Sequence, residues 1–392
     1  MTDARIAQHP FDTRTRFHLD RPESRKWSLH PGRIGAWVAE MDFGVAPEIA
    51  AAMHRAIDEE NLGYLSPPLA AQLGVATSDW MRHEYGWAVD PERVHPVSDV
   101  MAVLRVAVEE YAPAGSPVIV PTPAYMPFLT YLPTIGHPVI EVPGVEVDGR
   151  WQHDLQRIDE AFAAGARTLV LCNPHNPTGT VADRAELEAI AEIVERHGGR
   201  VFADEIHAPL RFDGRPFVPY ASVSEATAAH TVTGTSASKA WNIPGLKTAQ
   251  LITSNDADQK LYCRFGFSVQ HGAATVGVVA STAAYRDGKP WLDGVLGYLD
   301  GSRSALASLV SDHLPGAVYR APEATYIGWI DTKALGIDGP PAEFFREQAG
   351  VVLTEGQLLG QGYEDFVRVV FATPRPILEE AVTSMGEALR RR

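Results

Sequence analysis

The stretch from residue 168 to residue 204 limits the possible folds more than any other. Thr168-Leu169-Val170-Leu171-Cys172 is a continuous apolar run of strand length. The turn Asn173-Pro174-His175-Asn176-Pro177-Thr178-Gly179 follows it, and Asp183-Arg184-Ala185-Glu186 has the pattern of a capping-box helix start. Leu187, Ile190 and Val194 fall on one face of that helix, and Gly198 stops it. The next apolar run, Arg200-Val201-Phe202-Ala203, completes a βαβ unit. It delivers Asp204 at a strand's C-terminal end, where open α/β sheets hold their ligands.

A chain of 392 residues has room for two domains, or for a large domain with a smaller companion. A net charge of −15 argues against nucleic acid and anionic membrane as partners, since both call for basic patches. The two cysteines, Cys172 and Cys263, have neither CxxC nor zinc-like spacing, so neither a disulfide framework nor a metal site is expected. Met1-Thr2-Asp3-Ala4-Arg5 lacks the apolar core of a signal peptide, and no apolar run approaches the ~20 residues of a membrane span. A cytoplasmic location is the expectation.

The chemistry concentrates around Thr235-Ser236-Ala237-Ser238-Lys239-Ala240-Trp241-Asn242-Ile243-Pro244-Gly245-Leu246-Lys247. The alternating run Thr231-Val232-Thr233 precedes it, which puts Lys239 on the turn leaving a buried strand. A lysine that forms a Schiff base must lose its proton, and desolvation and a nearby cation both favour that loss. Ser236, Ser238 and Lys247 are also what a bound phosphate dianion needs. Ser-x-Ser-Lys alone is a common tetrapeptide, and a solvated surface lysine would serve it equally well.

The extended form, Ser-Lys-x-x-Asn-x-x-Gly-Leu, resembles the cofactor-lysine segment of fold-type I pyridoxal-phosphate (PLP) enzymes. More closely, it resembles the MalY/PatB branch of cystathionine β-lyases and other C–S lyases. Further motifs occur in the family's order: Trp37-Val38-Ala39-Glu40-Met41-Asp42-Phe43, Asn173 to Gly179, Asp204-Glu205-Ile206-His207, Ala324 to Asp331 and Phe366 to Arg375. Glu40 replaces the branch's first aspartate.

The resemblance implies site residues. Lys239 would be the catalytic lysine, Asp204 would keep the cofactor's ring nitrogen protonated, and Asn176 would hydrogen-bond its phenolic oxygen, with His207 nearby. Tyr125, from Pro121-Thr122-Pro123-Ala124-Tyr125, would stack on the ring. The phosphate would lie against Ser236, Ser238, Lys247 and the helix start at Val100 and Met101. The family more often has arginine in place of Lys247 and glycine in place of Asp99. A carboxylate there suits a phosphate only if it caps the helix facing away. Tyr64, from the Gly63-Tyr64 turn, would reach the neighbouring subunit's phosphate site, which requires a homodimer with active sites at the interface. Arg368 lies inside an apolar strand, where a guanidinium needs an anion, and the family supplies the substrate α-carboxylate. Val38 and Ala39 would line the substrate mouth, and Arg375 reads as a solvated helix-start arginine.

The expected fold is α/β, PLP fold type I. A large domain of residues 47–285 would carry a mostly parallel sheet with helices on both faces. A smaller α+β domain would combine residues 1–46 with 286–392. Residues 289–313 read as a long helix broken at Gly294, Gly297 and Gly301, and the parallel-sheet region is expected to continue to about residue 285. The implied reaction is β-elimination from an L-cysteine S-conjugate such as cystathionine. An aminotransferase would use the same residues. A PLP-binding regulatory or interaction protein is the reading from another class, though residues 1–46 leave no room for a fused DNA-binding module.

Overall fold

The computed structural model describes residues 9–392, so the Met1–Arg5 stretch lies outside the described residues. The chain divides into two compact units. One is Val45–Gly294 with Glu323–Thr325; the other takes in the chain up to Gly44, Val295–Pro322 and Tyr326–Arg392.

The first unit is built on a seven-stranded sheet. Its order is Val94–Val97, Ala249–Thr253, Thr231–Thr235, Arg200–Asp204, Thr168–Cys172, Val118–Thr122, Val139–Pro143. Alternation along the apolar strands separates two cores. Val118, Val120, Val170, Cys172 and Phe202 pack with Val103 and Leu104 of helix Val100–Glu109 and with Tyr262 of helix Asp256–Gln270. Ile119, Leu169, Leu171, Val201 and Ala203 pack on the other face with helices Leu155–Ala163 and Arg184–Arg196. Runs of this kind, apolar at every position, are what a strand covered on both faces requires.

The sheet is parallel except at Ala249–Thr253, which runs antiparallel to both Thr231–Thr235 and Val94–Val97. The expected sheet region to residue 285 therefore contains only this reversed strand, followed by helices Asp256–Gln270 and Thr275–Asp287. A second expectation also changes. Residues 289–313 form one continuous helix, Lys289–His313, through all three glycines. Each glycine costs about 1 kcal/mol against alanine. Burial of Leu292, Val295, Leu299, Leu306 and Val310 along one stripe contributes roughly 1.5–3 kcal/mol apiece and outweighs that cost. The start of Arg184–Arg196 is half a capping box. Asp183 accepts from Glu186 N at 2.9 Å, but the Glu186 carboxylate bonds His153 Nδ1 at 2.7 Å instead of returning to the cap.

The other unit holds an antiparallel sheet of Val318–Tyr319, Ile327–Asp331, Phe366–Val370 and Thr354–Glu355. A two-stranded parallel pair, Ile34–Gly35 with Val351–Val352, ties the N-terminal segment into the same unit. The strand expected from residue 324 begins at Ile327. Ala324 forms an isolated bridge with Arg211 in the first unit, and Thr325 has φ 71°. Helix Arg375–Arg390 opens at Arg375, as its sequence suggested, but the side chain is half-buried instead of solvated, lying over the Tyr298 ring with Nη2 donating to Ser302 Oγ at 3.4 Å.

Candidate active site

Strand Thr231–Thr235 ends in a turn that holds Lys239, and that turn is braced from beneath. Trp241 N donates to Ala237 O at 3.0 Å, and Ile243 N to Ser238 O at 2.9 Å. Ala237, Ala240 and Trp241 are buried, and the Trp241 indole N–H donates to Gly288 O at 2.9 Å. Ser236 Oγ donates to Thr248 O at 2.7 Å and accepts from Ser238 N at 3.0 Å, so the two serines are one hydrogen-bonded corner. Gly234 matters here: a Cβ would come within 3.1 Å of both Phe202 and Val100, closing the space between this strand and helix Val100–Glu109.

Asp204 ends its strand, buried, with Oδ1 accepting from Ile206 N at 3.2 Å. Burial pushes its carboxyl up to about 6, against the pull of the Ile206 amide, the Lys239 charge and the Cys172 thiol. Lys239 and Asp204 are thus electrostatic neighbours. Cys172 pairs with Asp204 in register across the adjacent strands, and its own thiol is raised, first by burial and then by the Asp204 charge. Tyr125 stands at the start of helix Met126–Thr134, and it lines a small cavity together with Cys172, Asn176, His153 and His175. Asn176 is buried in the Asn173–Gly179 turn, which His175 N→Thr180 O and Gly179 N→His175 O close at 2.8 Å each. His207 is buried on the turn after Asp204 and acts electrostatically on His175.

Lys247 stands next to Thr248, whose carbonyl accepts from Ser236 Oγ. It adopts the left-handed conformation, φ 46°, after the turn Pro244–Leu246, and its Nζ bonds Asp99 Oδ2. Asp99 caps the helix, with Oδ1 accepting from Ala102 N at 2.9 Å, but it does not face away as the sequence reading required: Oδ2 turns to Lys247. The N–H groups of Val100 and Met101, at the first two helical positions, have no acceptor within the helix.

The remaining candidates separate into two groups. Tyr64 is 88% exposed and stacks on the His271 ring at 5.2 Å. Val38, Ala39 and Arg368 belong to the other unit. There Arg368 is buried with Nη2 donating to Trp37 O at 2.9 Å and to Thr354 Oγ1 at 3.3 Å. Val38 and Ala39, next in the chain after Trp37, are half-buried, and the buried Tyr326 hydroxyl donates to Ala39 O at 2.9 Å. Beneath them Lys26 and Asp42 form a buried ion pair at 2.7 Å, joined by Trp27 Nε1 at 3.0 Å.

Sequence reasoning missed two neighbours of Asp204. Cys172 could have been found from its place at the end of the paired strand. Glu205 could have been found from its adjacency; it is buried, accepts from Tyr220 N at 2.8 Å, and is pushed up to about 8, chiefly by burial and further by Asp204. The stacking of Trp151 on His175, at 3.8 Å, left no trace in the sequence.

Residues 38–385 match the model of the aminotransferase class I and II family, and the chain belongs to that family of PLP enzymes. Its place within the family is the MalY/PatB branch. It is 36% identical over 372 residues to a cystathionine β-lyase of Corynebacterium glutamicum, covering 95% of this chain and 98% of that one. It is 31% identical to the cystathionine β-lyase PatB of Bacillus subtilis, covering 90% and 92% of the two chains. Among solved structures, cystalysin from Treponema denticola, which contains pyridoxal 5'-phosphate, matches with a TM-score of 0.91 at 27% identity over 97% of this chain and 99% of that one. The cofactor is pyridoxal 5'-phosphate. The donor set present fits that cofactor: an amine beside a buried carboxylate, with hydroxyls, an ammonium and helix amides at one corner.

Proposed function

We propose that the protein is a C–S lyase that eliminates a thiol from L-cysteine S-conjugates such as L-cystathionine, leaving pyruvate and ammonia. The observation that carries the reading is the 36% identity with a named cystathionine β-lyase along 95% of the chain. The electrostatic influence of Lys239 on buried Asp204 supports the PLP chemistry that this reading shares with an aminotransferase.

PLP, when bound, offers an aldehyde to amines and an electron-withdrawing ring for the charge left on Cα. The chain's residues do the rest. Asp204 holds the proton on the ring nitrogen, a task for a carboxylate that is buried yet ionised beside a cation. Asn176 would bond the phenolic oxygen, with His207 near it, and Tyr125 would cover the ring face. Ser236, Ser238, Lys247 and the amides of Val100 and Met101 hold the phosphate. Lys239 Nζ, as a neutral amine, takes the Cα proton. The Cβ–S bond then breaks with its electron pair leaving on sulfur, and water converts the three-carbon enamine to pyruvate and ammonia. Arg368, its guanidinium plane fixed by Trp37 O and Thr354, holds the substrate carboxylate, while Val38 and Ala39 border the mouth.

The reading includes a homodimer in which exposed Tyr64 serves the neighbouring subunit's phosphate site. The large domain of residues 47–285 and the smaller one of 1–46 and 286–392 are part of the same proposal. Borohydride reduction of the holoenzyme followed by peptide mapping tests the assignment on which all the roles depend. The pyridoxyl label is expected on Lys239, and a label on any other lysine would sink the assignment.

A further inference from the structure

Lys247 and Asp99 are 148 residues apart in sequence, yet they meet as an ion pair at the corner that Ser236 and Ser238 complete. The pair is open to solvent, with side chains 55% and 39% exposed. Exposed pairs contribute little to folding, so bracing the fold does not account for it. Its position does. Asp99 Oδ2 occupies the ammonium, and Asp99 Oδ1 occupies the Ala102 amide of the same helix N-terminus. The ammonium is a donor that a phosphate dianion would use, and the Asp99 charge stands at the same helix N-terminus whose Val100 and Met101 amides are assigned to that phosphate. Lysine's ammonium is a single point charge without arginine's fork, so a carboxylate paired with it offsets the one charge that a phosphate would meet there.

We propose that Asp99 competes with the cofactor phosphate for Lys247 and for the helix N-terminus, and so sets a loose grip on the cofactor that makes it readily exchangeable. The inference rests on the assignment of the Ser236–Ser238–Lys247 corner to the phosphate. Asp99 is a positioning residue in this account. It touches Lys247 and the helix start and has no part in the bond-breaking steps.

The test uses Asp99→Asn, because asparagine caps a helix as well as aspartate and accepts from Ala102 N without the charge. Purified holoenzyme is dialysed against falling concentrations of free PLP, and the retained cofactor is read from its absorbance. Asp99→Asn should half-saturate at a free PLP concentration on the order of tenfold below wild type, as expected for one like charge removed beside a dianion. Added inorganic phosphate should displace less cofactor from it. Asp99→Ser, also a good cap, should tighten in the same direction, so a folding fault peculiar to one variant cannot imitate the result. Retention equal to or weaker than wild type in both variants overturns the proposal. Lys247→Met separates the two layers. It should weaken retention of PLP and leave binding of pyridoxal, which has no phosphate, unchanged. If Lys247→Met retains PLP as wild type does, the phosphate lies elsewhere, and the site assignment falls together with the inference.

Discussion

Asp204 and Glu205 are adjacent buried carboxyls that burial treats alike and neighbours treat differently. Asp204, raised by burial but drawn down by the Ile206 amide and then by the Lys239 charge, rests at about 6, whereas Glu205, raised by burial and by Asp204 beside it, rests at about 8. Asp204→Asn keeps the shape but removes the charge opposite the ring nitrogen. Turnover should fall by orders of magnitude while the far-UV spectrum stays native, and near-wild-type turnover would assign ring protonation to another group. Glu205 makes a pH prediction. Its folded value lies above the ~4.3 of an unfolded glutamate, so the native state keeps a proton that the unfolded chain sheds. Stability from this group is full below about 4.3, falls as pH rises through that window, and levels off above about 8. Glu205→Gln should therefore flatten the decline in Tm between pH 5 and pH 8, with a gain of a few kcal/mol at the alkaline end, whereas an unchanged slope would place the titration elsewhere. At this scale residue type and order singled out Lys239, Asp204 and Asn176 as candidates. It could not show the Lys247–Asp99 or Lys26–Asp42 pairs, because which charges meet depends on the packing of distant elements.

Helix Thr275–Asp287 shows how an element without catalytic groups can fix those that have them. A Cβ on Gly277 would lie 2.1 Å from Leu246 O and 2.2 Å from Thr248 Oγ1, so the helix packs directly on the backbone flanking Lys247. A carbonyl cannot rotate away as a side-chain end can. Gly277→Ala should cost roughly 1–3 kcal/mol by overpacking, in spite of alanine's better helix propensity, and should weaken cofactor retention. A denaturation midpoint equal to wild type would show that the contact relaxes freely. Most elements were legible because apolar period and caps coincide, as in Thr168–Cys172 and the Asp99-capped helix. The direction of Ala249–Thr253 was not, since a strand's residue pattern is the same in either orientation. The unbroken Lys289–His313 helix was not legible either, because local propensity sees the glycines and not the buried stripe opposite them.

At the scale of the whole molecule, the account requires a second copy of the chain. Leu62 and Phe267 line one apolar groove with Tyr64, and all are exposed. A homodimer that uses Tyr64 across its interface should sediment at twice the mass of the 42.6 kDa chain. Tyr64→Phe should then lower cofactor retention without dissociating the dimer, and a monomer that binds PLP at wild-type affinity would contradict this. The family fold was legible from the order of its motifs, but the reaction depends on where one electron pair goes after the Cα proton leaves, and a lyase and an aminotransferase share the residues up to that step. The decisive measurement is release of thiol and pyruvate from L-cystathionine or an S-alkyl cysteine over many turnovers with every keto acid omitted, run beside an amino acid that carries no leaving group. Sustained thiol and pyruvate in equal amounts are expected from the cysteine conjugate and none from the control. No thiol from any conjugate, with amino transfer that appears only when a keto acid is added, would contradict it.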